Sequence, residues 1–262
     1  MINLKGRTAL ITGGTMGVGQ AIANSLAAGG ANVVLHGLVD DAAARESVEA
    51  VNELGVDCKL VTADLAGPTQ DAVAELFEAA TSASGEIDIL ISNAGTYREP
   101  DFLEIDYPAF ERTMRLNVAS HFFLIQKFAQ RWVEQGTDGR VLLTGSINGR
   151  LAEQTHAAYD TSKGAVEAMV RTLCVSLAPR GIRVNGMAPG LVRTPLTAEA
   201  LDGAGVMEWM KLHTPNQQVP GPEVCGPMAA FLVSDLASHV HGQMVLVDGG
   251  MSAWQQPDPP TA

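Results

Sequence analysis

Cysteine is scarce in this chain of 262 residues: Cys58, Cys174 and Cys225 are the only three, and no two of them form a CxxC pair. That excludes a disulfide-stapled scaffold and points to buried, reduced thiols rather than metal ligands. Basic side chains are also few, 17 against 29 acidic ones, for a formal net charge of −12. Affinity for a phosphate backbone or an anionic membrane comes chiefly from clustered Lys and Arg, so neither nucleic acid nor membrane is an expected partner. No apolar run approaches the ~18 residues of a membrane span. The start MINLKGRTALITGG leads straight into a strand pattern without a cleavable signal, so the expected location is cytoplasmic. Charged residues make up only 18% and hydrophobic ones 46%. At this length a single core buries roughly three quarters of the unfolded surface, so one large domain needs neither disulfide nor metal.

What the chain has in quantity is glycine, 27 residues, many of them closing helix-length segments that alternate with short apolar runs. The runs Thr8 to Ile11, Asn32 to Leu35, Cys58 to Val61, Ile87 to Ile91, Arg140 to Leu143, Ile182 to Val184 and Met244 to Val247 are rich in Val, Ile and Leu. They read as strands buried on both faces. Between them lie helical segments such as Val18 to Ala28, Asp41 to Leu54, Gln70 to Ala83, Tyr107 to Trp132 and Ala157 to Leu177. The alternation predicts an α/β fold, a doubly wound seven-stranded parallel sheet with helices on both faces and right-handed crossovers. Nothing before the end marks a second domain: residues 1–254 read as one domain and 255–262 as a Pro-rich tail. Arg193 to Pro222 is less periodic around a short apolar helix at Val206 to Leu212, the pattern of a lid over a site.

Directly after the first strand comes Thr12-Gly13-Gly14-Thr15-Met16-Gly17-Val18-Gly19, opening the first long helix. Glycines let the backbone approach a pyrophosphate closely while the helix N-terminus receives its charge. Taken alone, the spacing also suits a plain strand–helix turn.

The Gly-x3-Gly-x-Gly spacing resembles that of the short-chain dehydrogenase/reductase family, and further motifs follow in order. Asp64 in Ala63-Asp64-Leu65 sits past the third strand and Asn93-Ala94-Gly95 past the fourth, with Ser92 where the family more often has Asn. Asn117, Ser146, Tyr159 and Lys163 match the four catalytic positions, Pro189-Gly190-Leu191-Val192-Arg193-Thr194 the stretch along the nicotinamide, and Val247-Asp248-Gly249-Gly250 the usual ending. The resemblance covers residues 4 to about 252. It implies a Rossmann-fold, nicotinamide-dependent oxidoreductase that interconverts a secondary alcohol and a carbonyl by hydride transfer. Tyr159 would be the acid/base, Ser146 would hydrogen-bond the reacting oxygen, Lys163 would hold the ribose, and Asn117 would interrupt its helix and hold a water leading to Lys163. The i, i+4 spacing also stacks the Lys163 ammonium beside the Tyr159 phenol, favouring phenolate. Cofactor contacts are expected from Gly13, Thr15, Met16, Gly17, Val18, Gly19, His36, Gly37, Asp64, Leu65, Asn93, Ala94, Gly95, Tyr159, Lys163, Pro189, Gly190, Val192 and Thr194.

The end of the second strand discriminates between NAD and NADP. Here Val34 to Asp41 has Gly37 at the usual acid position and no cation, since Met16 and Leu38 stand where NADP-linked members often carry Arg. Asp40 and Asp41 would repel a 2′-phosphate, so NAD is expected, with NADP left open. Candidate substrate contacts are Tyr97, Arg98, Asn148, Arg150, Glu153, His156 and Leu191, with Trp209 or His213 from the lid. So polar a set suits a small hydroxylated substrate, a sugar or a hydroxy acid, better than a steroid. Arg98 and Arg150 could bind a carboxylate or pair with Glu99 and Glu153. A 3-oxoacyl-thioester reductase would share every motif, and a silent nucleotide-binding regulator the same fold; His and Cys show no metal-ligand spacing. The family resemblance also implies a homotetramer built on the long helices and the last strand.

Overall fold

In the computed structural model, which describes residues 2–97 and 99–254, seven parallel strands form one sheet in the order β3-β2-β1-β4-β5-β6-β7. Arg98 and the tail 255–262 lie outside the described residues. The first half runs β1 (Thr8–Ile11), α1 (Gly17–Ala28), β2 (Asn32–Gly37), α2 (Ala42–Asn52), β3 (Cys58–Thr62), α3 (Thr69–Ser84) and β4 (Ile89–Ser92). The second half adds α4 (Tyr107–Met114), α5 (Ser120–Gln135), β5 (Arg140–Thr144), α6 (Ala157–Leu177), β6 (Arg183–Pro189), α7 (Ala198–Leu201), α8 (Val206–Leu212), α9 (Gly226–Val233) and β7 (Met244–Val247).

Strand alternation sorts the core into two layers. Leu10, Val34, Leu90 and Leu143 face α3, α5 and α6, where Leu76, Phe128, Trp132, Val166 and Val170 are fully buried. Their neighbours Ile11, Leu35, Ile91 and Leu142 face α1, α2 and α9, against Ile22, Leu26, Val51, Ala229 and Val233. Local signals set the helix ends: Asp41 caps α2 by accepting from the Ala44 N–H at 2.9 Å, and α5 stops at the left-handed Gly136.

Three elements differ from expectation, each for a local reason. β6 continues through Asn185 and Gly186, polar and small residues that interrupt the apolar run. Asn185 fits because its amide is satisfied by Val240 O at 2.6 Å and the Gln243 N–H at 3.1 Å. The helix expected over 107–132 is two helices joined by a π-helical stretch, Arg115–Ala119, centred on Asn117. α9 escaped notice because Gly-Pro-Met-Ala-Ala-Phe-Leu-Val is apolar all round and carries no amphipathic period.

In the register of the sheet, Ile11 lies beside Leu35 on one side and Ile91 on the other, so β1 and β4 end together. The chain winds outward to β3 and then crosses back to β4. At such a reversal the loops after the strands diverge and leave a crevice over the C-terminal edge.

Candidate active site

A cleft of about 540 Å³ opens over that crevice. Its floor is the turn between β1 and α1, where Gly17 takes a left-handed φ of 55°. A Cβ on Gly19 would meet Gly13 O at 2.1 Å, so this position admits no side chain. α1 starts without a side-chain cap or an acid in its first turn, leaving its N–H groups and positive dipole end for an anion. The turn is stitched to the strand beside it. Thr12 Oγ1 accepts from the Asn93 N–H at 2.9 Å and the Ala94 N–H at 3.0 Å, and Asn93 Nδ2 donates to Thr12 O and Gly13 O at 3.0 and 3.2 Å.

His36 is a buttress rather than a free ligand. Its Nδ1 accepts from the Gly13 N–H at 3.2 Å, so the proton sits on Nε2, which donates to Ala63 O at 3.0 Å. Burial lowers its pKa below the ordinary histidine range, against the opposing pull of Ala63 and Asp64, and keeps the ring neutral. Beside it, a Cβ on Gly37 would come 2.9 Å from Thr15 Cγ2, so an acid at position 37 has no room while Thr15 stands there. Leu38, Ala63, Asp64, Leu65 and Ala66 complete this end of the cleft. Asp40 and Asp41 carry less free charge than the sequence suggests, because Asp40 is bonded to Arg45 at 2.7 Å and Asp41 caps α2.

At the other end stand Ser146, Tyr159 and Lys163. Ser146 follows β5 and lines the cleft beside Tyr159, its Oγ accepting from the Asn148 N–H at 3.1 Å. Lys163, one turn along α6, is buried and donates from Nζ to Thr144 O at 3.0 Å. Asn117 lies behind them rather than in the cleft wall. Its Oδ1 accepts from the Thr96 N–H at 2.9 Å, and its Nδ2 donates to Thr96 O and Ser162 Oγ at 2.8 and 3.0 Å.

The electrostatics correct one expectation. Burial pushes the Tyr159 phenol up to about 12, with Glu153, Asp160 and Tyr97 adding to it and the Ser146 hydrogen bond opposing it. Lys163, pushed down to about 8 by burial, has its ammonium 5.6 Å from the centre of the Tyr159 ring. The i, i+4 spacing brings the pair together, but burial sets the direction of the phenol's shift.

Of the expected cofactor set, every member lines the cleft except Gly19, which is packed beneath the turn. Among the substrate candidates Tyr97, Asn148, Glu153, His156 and Leu191 line it. Tyr97 and His156 bring their ring centres to 5.4 Å, and His156 Nδ1 is 3.1 Å from a Glu153 carboxylate oxygen. Arg150 turns away and pairs with Glu167 at 2.9 Å, while Arg98 lies outside the described residues. Trp209 and His213 stack on each other at 3.8 Å outside the wall, and Val206 and Met210 of the same helix face inward instead. Sequence reasoning also missed Arg112, Leu196 and Met251 in the lining. Arg112 forms no ion pair among the described residues, and its place on an amphipathic helix gave no signal.

This glycine turn, stitched to Asn93-Ala94-Gly95 and facing a Ser–Tyr–Lys cluster across one cleft, can be compared with known proteins. A family model described as Enoyl-(Acyl carrier protein) reductase matches residues 13–252. The chain belongs to the short-chain dehydrogenase/reductase family. It is 34% identical over 251 residues to an L-rhamnose 1-dehydrogenase (NADP(+)) of Thermoplasma acidophilum, covering 96% of this chain and 98% of that one. An L-rhamnose 1-dehydrogenase (NAD(P)(+)) of a Sphingomonas species is 33% identical, covering 95% and 97%. Among solved structures, a gluconate 5-dehydrogenase from Burkholderia cenocepacia in complex with NADP and tartrate superposes with a TM-score of 0.88 at 30% identity, covering 97% and 98%. Like its relatives in the short-chain family, the chain is an NAD(P)-dependent oxidoreductase acting on CH–OH groups.

Proposed function

We propose that the chain, acting as one catalytic domain over residues 1–254, oxidises a hydroxyl of a small sugar or hydroxy acid and reduces the corresponding carbonyl in reverse. The observation that carries this reading is the polar lining beside Tyr159: Tyr97, Arg112, Asn148, Glu153 and His156 offer a hydroxylated substrate more partners than a fatty one could use. The names of the relatives support the same substrate class.

As phenolate, Tyr159 Oη takes the proton of the reacting hydroxyl during oxidation, and as phenol it returns that proton during reduction. Ser146 Oγ donates to the same oxygen as charge develops there. Lys163, with ammonium protons left beyond its bond to Thr144 O, would hold the ribose hydroxyls, and Asn117 fixes the segment at Thr96 and the helix at Ser162. The nicotinamide, when bound, would supply the hydride acceptor or donor, and the positive charge of its oxidised ring would favour the Tyr159 phenolate. Thr15, Met16, Gly17 and Val18 would receive the pyrophosphate, and Asp64 and Leu65 would hold the adenine end. Because no Lys or Arg among the described residues lines the adenosine end, NAD is the preferred partner. The working form is a cytoplasmic homotetramer.

The test is a panel of aldoses, aldonates, hydroxy acids and acyl thioesters followed by nicotinamide absorbance with both cofactors. Polyhydroxylated substrates should lead, and Tyr159→Phe should abolish turnover while NAD affinity stays within a few fold. Ser146→Ala should lower kcat roughly 100-fold, the usual cost of one lost donor to a developing oxyanion. An active Tyr159→Phe would remove the acid/base assignment, thioesters outrunning sugars would remove the substrate class, and a tenfold preference for NADP would remove the cofactor choice.

A further inference from the structure

The helix that carries Tyr159 begins without a cap of its own. His156 occupies the N-cap position of α6 and makes no side-chain cap hydrogen bond. The N–H groups that such a cap would satisfy, those of Ala158 and Tyr159, are taken from 60 residues away. Glu99 Oε1 accepts from the Ala158 N–H at 3.0 Å, and Oε2 accepts from the Tyr159 N–H at 2.9 Å. A carboxylate placed this way satisfies two otherwise open donors and sits against the positive end of a 21-residue helix.

The segment that bears Glu99 is fixed at two further points. Thr96 is bonded in both directions to the Asn117 amide, and the Tyr97 hydroxyl donates to Leu196 O at 2.9 Å, across the cleft mouth. The Tyr97 ring lies edge-on to Tyr159 at 6.3 Å. Thr96, Tyr97 and Glu99 therefore touch the π-helical stretch, the lid and the catalytic helix in turn, and Glu99 is what holds the backbone of Tyr159.

Resting on the alcohol-oxidising reading above, we propose that Glu99 is a positioning residue for the reaction. It clamps the first turn of α6 so that Tyr159 is aimed at the substrate oxygen, and it seats Tyr97 as the wall of the substrate pocket. Small misplacements of a reacting group cost rate steeply, so loosening the clamp acts on turnover before it acts on the fold.

The test compares Glu99→Ala, Glu99→Gln and a control, Asp106→Ala, which removes an equivalent carboxylate cap from α4, where Asp106 accepts from the Ala109 N–H at 2.8 Å. In Glu99→Ala, kcat should fall at least tenfold and KM rise, with the Kd for NADH within twofold of wild type and Tm no lower than in Asp106→Ala. Glu99→Gln, able to accept only one of the two N–H groups, should fall in between. Hydrogen–deuterium exchange of the peptide spanning residues 156–163 should speed up at least tenfold in Glu99→Ala and remain at the wild-type rate in Asp106→Ala. Wild-type kcat in Glu99→Ala, an equal loss in Asp106→Ala, or unchanged exchange would each overturn the proposal. Because exchange needs no substrate, it tests Glu99 even if no sugar is turned over. Tyr159→Phe, assayed alongside, separates failure of the clamp from failure of the acid/base assignment.

Discussion

At the scale of single residues, the site is built from groups denied their usual solvation. His121 is the clearest case outside the reacting set. Its Nε2 lies 2.8 Å from Ala94 O and so carries the proton, while Nδ1 is buried without a partner among the described residues. Burial, with the Lys163 charge adding to it, pushes the imidazole down from 6.5 to about 4. The folded state thus prefers neutral His121. That preference contributes fully above pH 6.5 and is lost as pH falls toward 4, on the order of 3 kcal/mol across the window. His36, also depressed by burial, acts with the same sign. Thermal unfolding of wild type between pH 6.5 and 4 should therefore show a steeper fall in Tm than His121→Gln, which keeps a donor toward Ala94 O and does not titrate. Equal slopes would mean that His121 is not the titrating group. Neither the burial of His121 nor the clamp at Glu99 was legible in the sequence, because each depends on a partner dozens of residues away. Ser146 was legible from its place just after the end of β5, and Tyr159 with Lys163 from their i, i+4 spacing in the first two turns of α6.

At the scale of elements, β1, β7 and α8 begin and end where periodicity places them. The errors cluster where function bends the regular structure. The π-helical stretch at Arg115–Ala119 turns Asn117 inward, and a pattern assuming 3.6 residues per turn cannot register that. The lid helix shows the same limit. From sequence Trp209 or His213 looked like the substrate contact, yet Val206 and Met210 form the inward pair and Trp209 is left 55% exposed, stacked on His213. An i, i+4 pair shares one face, so the question was which of two such pairs turns inward, and packing against the cleft decides it. Met210→Ala should accordingly raise KM about five- to tenfold, the scale of a lost apolar contact, whereas Trp209→Ala should leave kcat/KM within twofold. The reverse ranking would mean that the lid seats its other face on the substrate.

At the scale of the whole molecule, the homotetramer proposed above has two candidate surfaces among the described residues. A groove of about 380 Å³ between α5 and α6 is lined by Phe122, Ile125, Ala129, Val133, Leu173 and Leu177, with Phe123 and Val175 exposed nearby. β7, the last strand of the sheet, is half-buried along all four residues and, among the described residues, has a strand neighbour on one side only. An open strand edge and an apolar helix pair, at different places on the chain, supply two independent interfaces, which is what a tetramer with two-fold axes requires. Charge opposes that assembly, since each copy carries −12. Like charges are screened beyond about 8 Å at physiological ionic strength but reach about 30 Å in 0.01 M salt. Sedimentation equilibrium in 0.15 M salt should therefore give four times the 27.5 kDa of one chain, with dissociation on dilution into 0.01 M salt. Phe122→Glu combined with Val133→Glu places charge in the helix groove alone and should yield dimers joined through β7, with Tyr159 chemistry intact. A wild type that sediments as a monomer at both salt concentrations would show that these apolar faces belong to the fold and not to an assembly.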